Sequence, residues 1–141
     1  MSRFRTGLPG RGRGNAVQYF TYGPLEFNVS RAMMLAADRR KYRPETCRPS
    51  PDWVGPHIDI DEEHVGRSAP NQPVIFATLA LPGHPPRLLI DGNHRMRHAL
   101  EQQKTVQAVV LDLADTLRVV TGPAHLIEQM KQTGRTLGLL P

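Results

Sequence analysis

The stretch Leu88-Leu-Ile-Asp-Gly-Asn-His-Arg-Met-Arg-His-Ala-Leu100 changes from a strand pattern to a helix pattern within three residues. Its apolar beginning indicates a buried β-strand, and Gly92 permits a sharp turn. From His94 onwards the apolar side chains recur at the spacing of one helix face. This spacing predicts a helix over residues 94–103 with Asn93 as its N-cap. A strand that leads directly into a helix is typical of folds in which helices pack against a sheet.

The sequence on both sides of this stretch predicts the rest of a small sheet. Residues 73–81 give the strongest strand signal, and a proline-rich turn at 82–86 joins them to a strand at 87–90 as a β-hairpin. Residues 106–113 are mostly apolar, as in a central strand that is covered on both sides. This order of elements predicts an α+β fold, a small mixed β-sheet with packed helices. The other predicted elements are strands over 17–22 and 25–29, a helix over 31–41 capped by Ser30, and a helix over 124–133.

The composition is that of one soluble domain. The chain has 141 residues, of which 39% are hydrophobic and 22% charged, and these are ordinary values for a globular domain. No apolar run approaches the roughly 20 residues that cross a bilayer, and no apolar block of a secretory signal follows the first arginines. The single cysteine, Cys47, cannot form an internal disulfide. We therefore expect a cytoplasmic protein without membrane association.

Positive charge is concentrated at the N-terminus. Four arginines and no acidic residue lie in the first fourteen positions, and they account for four of the five net positive charges. We expect residues 1–16 to form a disordered basic Arg/Gly tail and residues 17–141 to form a single domain. Such a tail can hold the phosphate backbone of DNA or RNA through charge, or it can serve only as a solubilising leader. The four residues are Arg3, Arg5, Arg11 and Arg13.

Several polar residues meet at the turn between the predicted strand and helix. The first turn of a helix has N–H groups without internal partners, and the helix dipole adds positive potential there, so a phosphate or carboxylate is its natural guest. Asp91 could accept a proton, bind a metal ion or orient His94, and Arg97 could extend the positive rim. Turn and cap residues are common without any function, but this combination favours an anion-binding and catalytic site. Its residues are Asp91, Gly92, Asn93, His94 and Arg95.

The same turn resembles the signature of the ParB/sulfiredoxin superfamily, whose members carry Gly-x-x-Arg or Asp-Gly-x-His-Arg at such a junction. Gln72-Pro-Val-Ile75 is similar to the Gln-Pro-Ile lead into the family's preceding strand, and the resemblance covers residues 59 to about 115. It implies a ParB/sulfiredoxin-like fold that binds nucleotide phosphates. The implied ligand is a nucleotide, ATP, ADP or CTP, accompanied by Mg²⁺ if the site is catalytic. The implied binding residues are Gly92, Asn93, His94, Arg95 and Arg97.

The branches of this superfamily imply different activities. Sulfiredoxins have a reactive cysteine just before His-Arg, where this chain has Asn93, so that activity is not expected. Partition proteins of the ParB type continue into a helix-turn-helix module, for which the 28 residues after Leu113 are too few. Free-serine kinases use Asp-Gly-His-His-Arg, the most similar string, together with an upstream glutamate as base. Glu45 is the candidate for that base, and other members are ParB-like nucleases.

The sequence thus predicts a nucleotide-phosphate-binding ParB-like protein. If it is an enzyme, we expect phosphoryl transfer or phosphodiester hydrolysis, with Asp91, His94 and Glu45 as catalytic residues. One alternative is a non-catalytic nucleic-acid-binding accessory protein of a plasmid or phage. Another is an interaction module whose helix at 124–133 forms a docking surface or a homodimer.

We expect no metal site, because His98 lies four residues after His94 without an evident third ligand. A carboxylate cluster is better explained as a solvated helix start; its members are Asp59, Asp61, Glu62 and Glu63.

Overall fold

The computed structural model describes residues 2–6, 17–52 and 72–141, with only the backbone path described for the first of these ranges. These residues form eight strands and four helices. The strands are β1 (Ser2–Thr6), β2 (Gln18–Tyr22), β3 (Leu25–Asn28), β4 (Glu45–Cys47), β5 (Val74–Thr78), β6 (Arg87–Asp91), β7 (Val106–Val110) and β8 (Val120–Thr121). The helices are α1 (Val29–Ala36), α2 (Asn93–Glu101), α3 (Leu113–Val119) and α4 (Ala124–Thr136).

The strands of the described residues form two four-stranded sheets. The first sheet has the order β1-β2-β3-β8 and is antiparallel throughout. The second has the order β4-β7-β5-β6, in which β5 and β7 are parallel and the other pairs are antiparallel. The predicted hairpin of β5 and β6 and the predicted α+β class are confirmed. The prediction of one mixed sheet was wrong, because the strands that precede α1 pair with one another and not with β5.

The second sheet is apolar on both faces. Ile75 and Ala77 of β5 belong to the main core, which the two sheets share, whereas Val74 and Phe76 belong to a smaller core with Met96 of α2. Successive side chains of a strand point to opposite faces, so a strand covered on both sides must be apolar at every position. This explains the uninterrupted apolar run in β5. It also places α2 on one face of the second sheet and the first sheet on the other.

Some predicted helix boundaries were wrong. The side chain of Asn28, not Ser30, caps α1 by accepting a hydrogen bond from the Arg31 N–H at 2.9 Å. The Ser30 hydroxyl instead accepts from the Gln18 N–H at 3.0 Å and so ties α1 to β2. Helix α1 ends at Ala36, earlier than predicted. The helix predicted at 124–133 is confirmed as α4.

The predicted strand over residues 106–113 was too long. Strand β7 ends at Val110, and Asp112 then caps a helix that the sequence did not predict, α3. The Asp112 side chain accepts a hydrogen bond from the Asp115 N–H at 2.8 Å. An apolar residue on each side of Asp112 made the segment resemble a strand, although Asp is a favoured N-cap.

The N-terminal segment also differs from its expectation. Residues Ser2–Thr6 form a strand that pairs with β2 in the register Phe4↔Phe20, where the sequence predicted disorder. The remainder of the predicted tail lies outside the described residues, as does the segment that contains the carboxylates at 59–63. In the part of the chain that is described, no helix has both the length and the apolar character needed to cross a membrane.

Candidate functional site

The junction between β6 and α2 is built on a left-handed glycine. Strand β6 ends at Asp91, and Gly92 adopts φ 96° and ψ 22° as the N-cap of α2, which begins at Asn93. The prediction that Asn93 is the N-cap was therefore wrong by one residue. Gly92 accepts the first helical hydrogen bond, from the Met96 N–H at 2.8 Å, and no side chain caps the helix. The N-cap residue therefore supplies no side-chain acceptor to the first turn.

A close approach to β5 adds a second reason for glycine at position 92. A Cβ atom there would lie 2.5 Å from Cγ1 of Val74 and 3.0 Å from Nη2 of Arg95. Real Cβ contacts do not occur at the first of these distances. The turn is therefore held against the start of β5, which fixes the position of the helix start relative to the sheet.

The side chains of Asp91 and Arg95 form a largely buried ion pair inside the turn. Nη2 of Arg95 lies 3.4 Å from Oδ2 of Asp91, and the two side chains are only 13% and 14% exposed. Arg95 also donates from Nη1 to Oε1 of Gln72 at 3.4 Å and from Nη2 to the carbonyl oxygen of Pro73 at 3.5 Å. All three distances exceed the usual 2.7–3.2 Å range. The guanidinium is thus held in place by the segment that enters β5, but only by weak contacts.

Burial changes the acid–base behaviour of Asp91. Loss of solvent raises the pKa of its carboxyl above the usual value, and the Arg95 guanidinium and the Gly92 N–H offset this only in part. A carboxylate with a raised pKa is a better proton acceptor near neutral pH than an ordinary aspartate. The structure therefore gives Asp91 a property that a general base requires.

Two further atoms of this turn lack hydrogen-bond partners. The Asn93 side chain is buried, at 6% exposure, and its Oδ1 atom has no partner within the described residues. The same is true of Nε of Arg95. An unpartnered buried polar atom costs about 1–3 kcal/mol, so such atoms in a folded protein often mark a place where a ligand or water completes the site.

The other predicted binding residues lie on the same helix. His94 and Arg97 are both half-buried, and His94 stands in the first turn. Among the described residues the Arg97 guanidinium forms no ion pair. Because helical side chains tilt toward the N-terminus, Arg97 can reach back to the helix start. Asp91 and Arg95 are in direct contact, whereas His94 and Arg97 are placed only on the same helix, and their part in the site stays a prediction.

Glu45, the predicted upstream base, lies elsewhere. It pairs with Ala108 of β7 at one edge of the second sheet, whereas Asp91 pairs with Ile75 and ends the strand at the opposite edge. Three strand spacings of about 4.8 Å separate these edges, which makes a distance of roughly 14 Å. Glu45 and Asp91 therefore do not act on the same atom.

A small cavity of about 130 Å³ opens beside Asp91. Its wall includes Gln72 and Pro73 from the segment before β5, and Ala36 and Arg39 from the end of α1. Arg39 donates a hydrogen bond to the carbonyl oxygen of Ala36, which closes the C-terminal end of α1. No local sequence pattern singles out Arg39, because its place in the same cavity wall as Asp91 results from packing of α1 across a long sequence separation.

The described residues hold no group of three or more His, Cys, Asp or Glu side chains that could bind a metal ion. Comparison of the chain with protein-family models, with curated proteins and with solved structures found no match in any of the three. The resemblance to the ParB/sulfiredoxin superfamily therefore stays a prediction, carried by the motif at Asp91–Arg95.

Proposed function

We propose that this chain is a nucleotide-binding protein that holds phosphate oxygens at the first turn of α2. The observation that carries the proposal is the uncapped helix start, fixed by Gly92 against β5 and bordered by Arg95 and Arg97. The positive end of the helix dipole, a first turn without a side-chain cap and nearby arginine side chains favour the same guest, an oxyanion. The similarity of the turn to the ParB/sulfiredoxin signature identifies the oxyanion as a nucleotide phosphate within this proposal.

Arg95 supports the proposal through its unused donor. Both of its Nη atoms contact protein acceptors at long distances, and its Nε atom has no partner in the described part of the chain. An arginine recognises phosphate best through two parallel N–H donors. A phosphate at the helix start would accept a hydrogen bond from Nε and give this buried donor the partner that it lacks.

The size of the adjoining cavity limits how the ligand lies. Pockets that enclose a whole small molecule measure roughly 300–1,000 Å³, whereas the cavity beside Asp91 measures about 130 Å³. It is too small for a nucleoside, and no residue of α2 lines it. In the proposed complex the base and ribose therefore lie outside this cavity, and the phosphates supply most of the affinity.

Catalysis at this site would depend on Asp91. The raised pKa of its carboxyl suits it to take a proton from an attacking hydroxyl or water during phosphoryl transfer or phosphodiester hydrolysis. The donor set does not fit a metal ion held by the protein, because Asp91 is the turn's only carboxylate. Mg²⁺ would enter bound to the nucleotide, as is usual for this ion. We assign Glu45 no part in this chemistry because of its distance.

Isothermal titration of the full chain with ATP, ADP and CTP tests the proposal. We expect at least one of the three to bind with a dissociation constant below about 1 mM, equivalent to roughly −4 kcal/mol. Arg97→Gln should weaken this binding roughly ten- to a hundredfold, since a hydrogen bond to a charged group contributes about 1.5–3 kcal/mol.

The matched control is Arg135→Gln, which removes the same charge from an exposed position on α4 and should leave the affinity unchanged. Absence of heat with all three nucleotides, or equal losses in the two variants, would contradict the proposal.

A further inference from the structure

A larger cavity, of about 540 Å³, lies on the second sheet away from the Asp91 turn. It is bounded by the segment 40–43 that follows α1, by the whole of β4 and by Arg87 at the start of β6. Its volume falls within the range of pockets that enclose small ligands, which is roughly 300–1,000 Å³. Its lining includes Val110, the last residue of β7, and Arg87, which pairs with Thr78 at the end of β5. The cavity therefore reaches the carboxyl ends of these two parallel strands, where sheets with helices on their faces commonly bind ligands.

The charge around this cavity is strongly positive. Four of its lining side chains are cationic and one, that of Glu45, is anionic. Lys41 is neutralised locally, because its ammonium contacts Asp112 at 3.0 Å and Asp115 at 2.9 Å. The three arginines, by contrast, form no ion pair within the described residues. They are Arg40, Arg43 and Arg87.

Exposed arginines are often simply solvated, so exposure alone does not indicate a binding site. The arginines of this cavity are distinguished by coming from different segments of the chain and lining one space. Arg87 comes from β6 at one edge of the sheet, whereas Arg43 lies just before β4 at the other edge. The positive potential of Arg87 reaches the Cys47 thiol and lowers its pKa in part, against a larger rise caused by burial. Guanidinium groups from both edges thus face a common space.

The floor of the cavity is apolar. The floor consists of Phe76 of β5 and of Ala108 and Val110 of β7. These side chains belong to the small core under α2 or pack against it. A ligand that fits this cavity therefore needs an oxyanion for the arginines and an apolar body for the floor.

We propose that this cavity is a second binding site, which takes a small organic anion consisting of a flat apolar group and a phosphate or carboxylate. Arg43 and Arg87 bind the oxyanion, and the body of the ligand lies on Phe76 and Val110. Glu45 borders the same cavity, which gives this residue a place in a site other than the one for which it was predicted. The site is independent of the α2 turn and does not rest on nucleotide binding there.

Cys47 provides a local readout, because it is the chain's only cysteine and lines this cavity. The experiment measures the rate at which iodoacetamide, a neutral reagent, alkylates Cys47 in the full chain at constant ionic strength. Phenyl phosphate and benzoate are the two anionic probes, and benzyl alcohol is the neutral probe with the same ring. We expect at least one anion to slow alkylation about fivefold or more at saturation, and benzyl alcohol to have no such effect.

The variants separate this site from the turn. Arg43→Gln combined with Arg87→Gln should abolish the protection, whereas Arg97→Gln and Arg135→Gln should retain it. Both cavity arginines are exposed and without ion pairs in the described structure, so we expect the double variant to fold normally, which circular dichroism verifies. The preference between phenyl phosphate and benzoate identifies the oxyanion.

Saturation-transfer NMR of the probe rings supplies a measurement that does not depend on thiol reactivity. A signal that disappears in the double variant supports the site. Lack of both protection and saturation transfer with both anions overturns the proposal, as does protection that survives the double substitution.

Discussion

At the scale of single residues, Gly92 and Asp91 determine what the turn can do. Gly92 combines a left-handed conformation with a close approach to Val74, and either demand alone would disfavour a side chain. Asp91 is buried next to Arg95, whose guanidinium favours the charged form of the Asp91 carboxyl. The sequence could predict both positions, because a glycine between a strand and a helix pattern is a local signal. The sequence could not predict the Asp91–Arg95 ion pair or the weak contacts of Arg95 with Gln72 and Pro73, because these contacts depend on where β5 lies relative to the turn.

Gly92→Ala tests the close approach at the turn. An alanine there must adopt a left-handed conformation, which costs about 1–2 kcal/mol, and must also displace Val74, which costs about 1–3 kcal/mol more. We expect the free energy of unfolding in urea to fall by about 3 kcal/mol.

Gly83→Ala is the matched control. Gly83 has φ 81°, but a Cβ atom there meets nothing within 4 Å, so the loss should be only about 1 kcal/mol. Equal losses in the two variants would show that Val74 yields without cost and that the turn is not tightly held.

Asp91→Asn tests the electrostatics of the turn. Because burial raises the pKa of Asp91 above its value in the unfolded chain, folding favours the protonated carboxyl. The protonated carboxyl therefore contributes fully to stability below the pKa that Asp91 has in the unfolded chain, about 3.9. This contribution is lost as the pH rises through the pKa of Asp91 in the folded protein. We expect the unfolding free energy of the wild type, relative to Asp91→Asn, to decline as the pH rises above about 3.9. A difference that increases with pH would mean that Arg95 stabilises the carboxylate more than burial penalises it.

At the scale of elements, α3 shows why local patterns fail. Its first turn is fixed by residues distant in sequence: the Tyr42 hydroxyl donates to Oδ2 of Asp115 at 2.6 Å and accepts from the Asp112 N–H at 3.1 Å. Burial alone would raise the pKa of Asp115, but hydrogen bonds from Tyr42, Lys41 and Arg118 outweigh it and lower the pKa. Elements with a local signature, such as the β5–β6 hairpin and α2, were predicted. Helix α3 was missed because its apolar start continues the apolar run of β7.

Tyr42→Phe tests the contact that fixes α3. The substitution removes a hydrogen bond from each of two groups at the helix start, and the Asp115 side chain is only 6% exposed. An unsatisfied buried acceptor costs about 1–3 kcal/mol, so we expect thermal and urea stability to fall by that amount.

Tyr22→Phe serves as the comparison, because its hydroxyl makes an exposed hydrogen bond to Nδ1 of His84 at 2.9 Å. Its loss should cost about 0.5 kcal/mol or less. If the two variants lose equal stability, the Tyr42 contact is not what holds α3.

At the scale of the whole molecule, the strand order of the second sheet places the two candidate sites apart. The second sheet puts Asp91 at one edge and Glu45 at the other, a separation that follows from strand order and register. No local pattern encodes strand order, so the sequence could assign both residues to one site. The cavity of arginines was missed for the same reason, since Arg43 and Arg87 are 44 positions apart and meet only through the sheet.

Substitutions in the basic N-terminal segment distinguish the proposed nucleotide binding from the alternative function, nucleic-acid binding. Deletion of residues 1–14 would also remove β1, which pairs with β2, so point substitutions are the cleaner test. We expect Arg11→Gln with Arg13→Gln to bind ADP as the wild type does. The nucleic-acid alternative predicts that the same double substitution lowers the affinity for DNA. Because each phosphate contact contributes about 0.9 to the slope of log affinity against log salt, the loss of two contacts should decrease this slope by about 2. Filter binding over a range of salt concentrations measures this slope.

Amide chemical shifts measure anion binding at the first turn of α2 residue by residue. In ¹H–¹⁵N spectra of the full chain titrated with ADP, we expect the largest saturable shifts at Asn93, His94 and Arg95. Titration with adenosine, which lacks the phosphates, should leave these three amides unchanged. If ADP shifts none of the three amides, or if adenosine shifts them equally, the first turn of α2 is not an anion site.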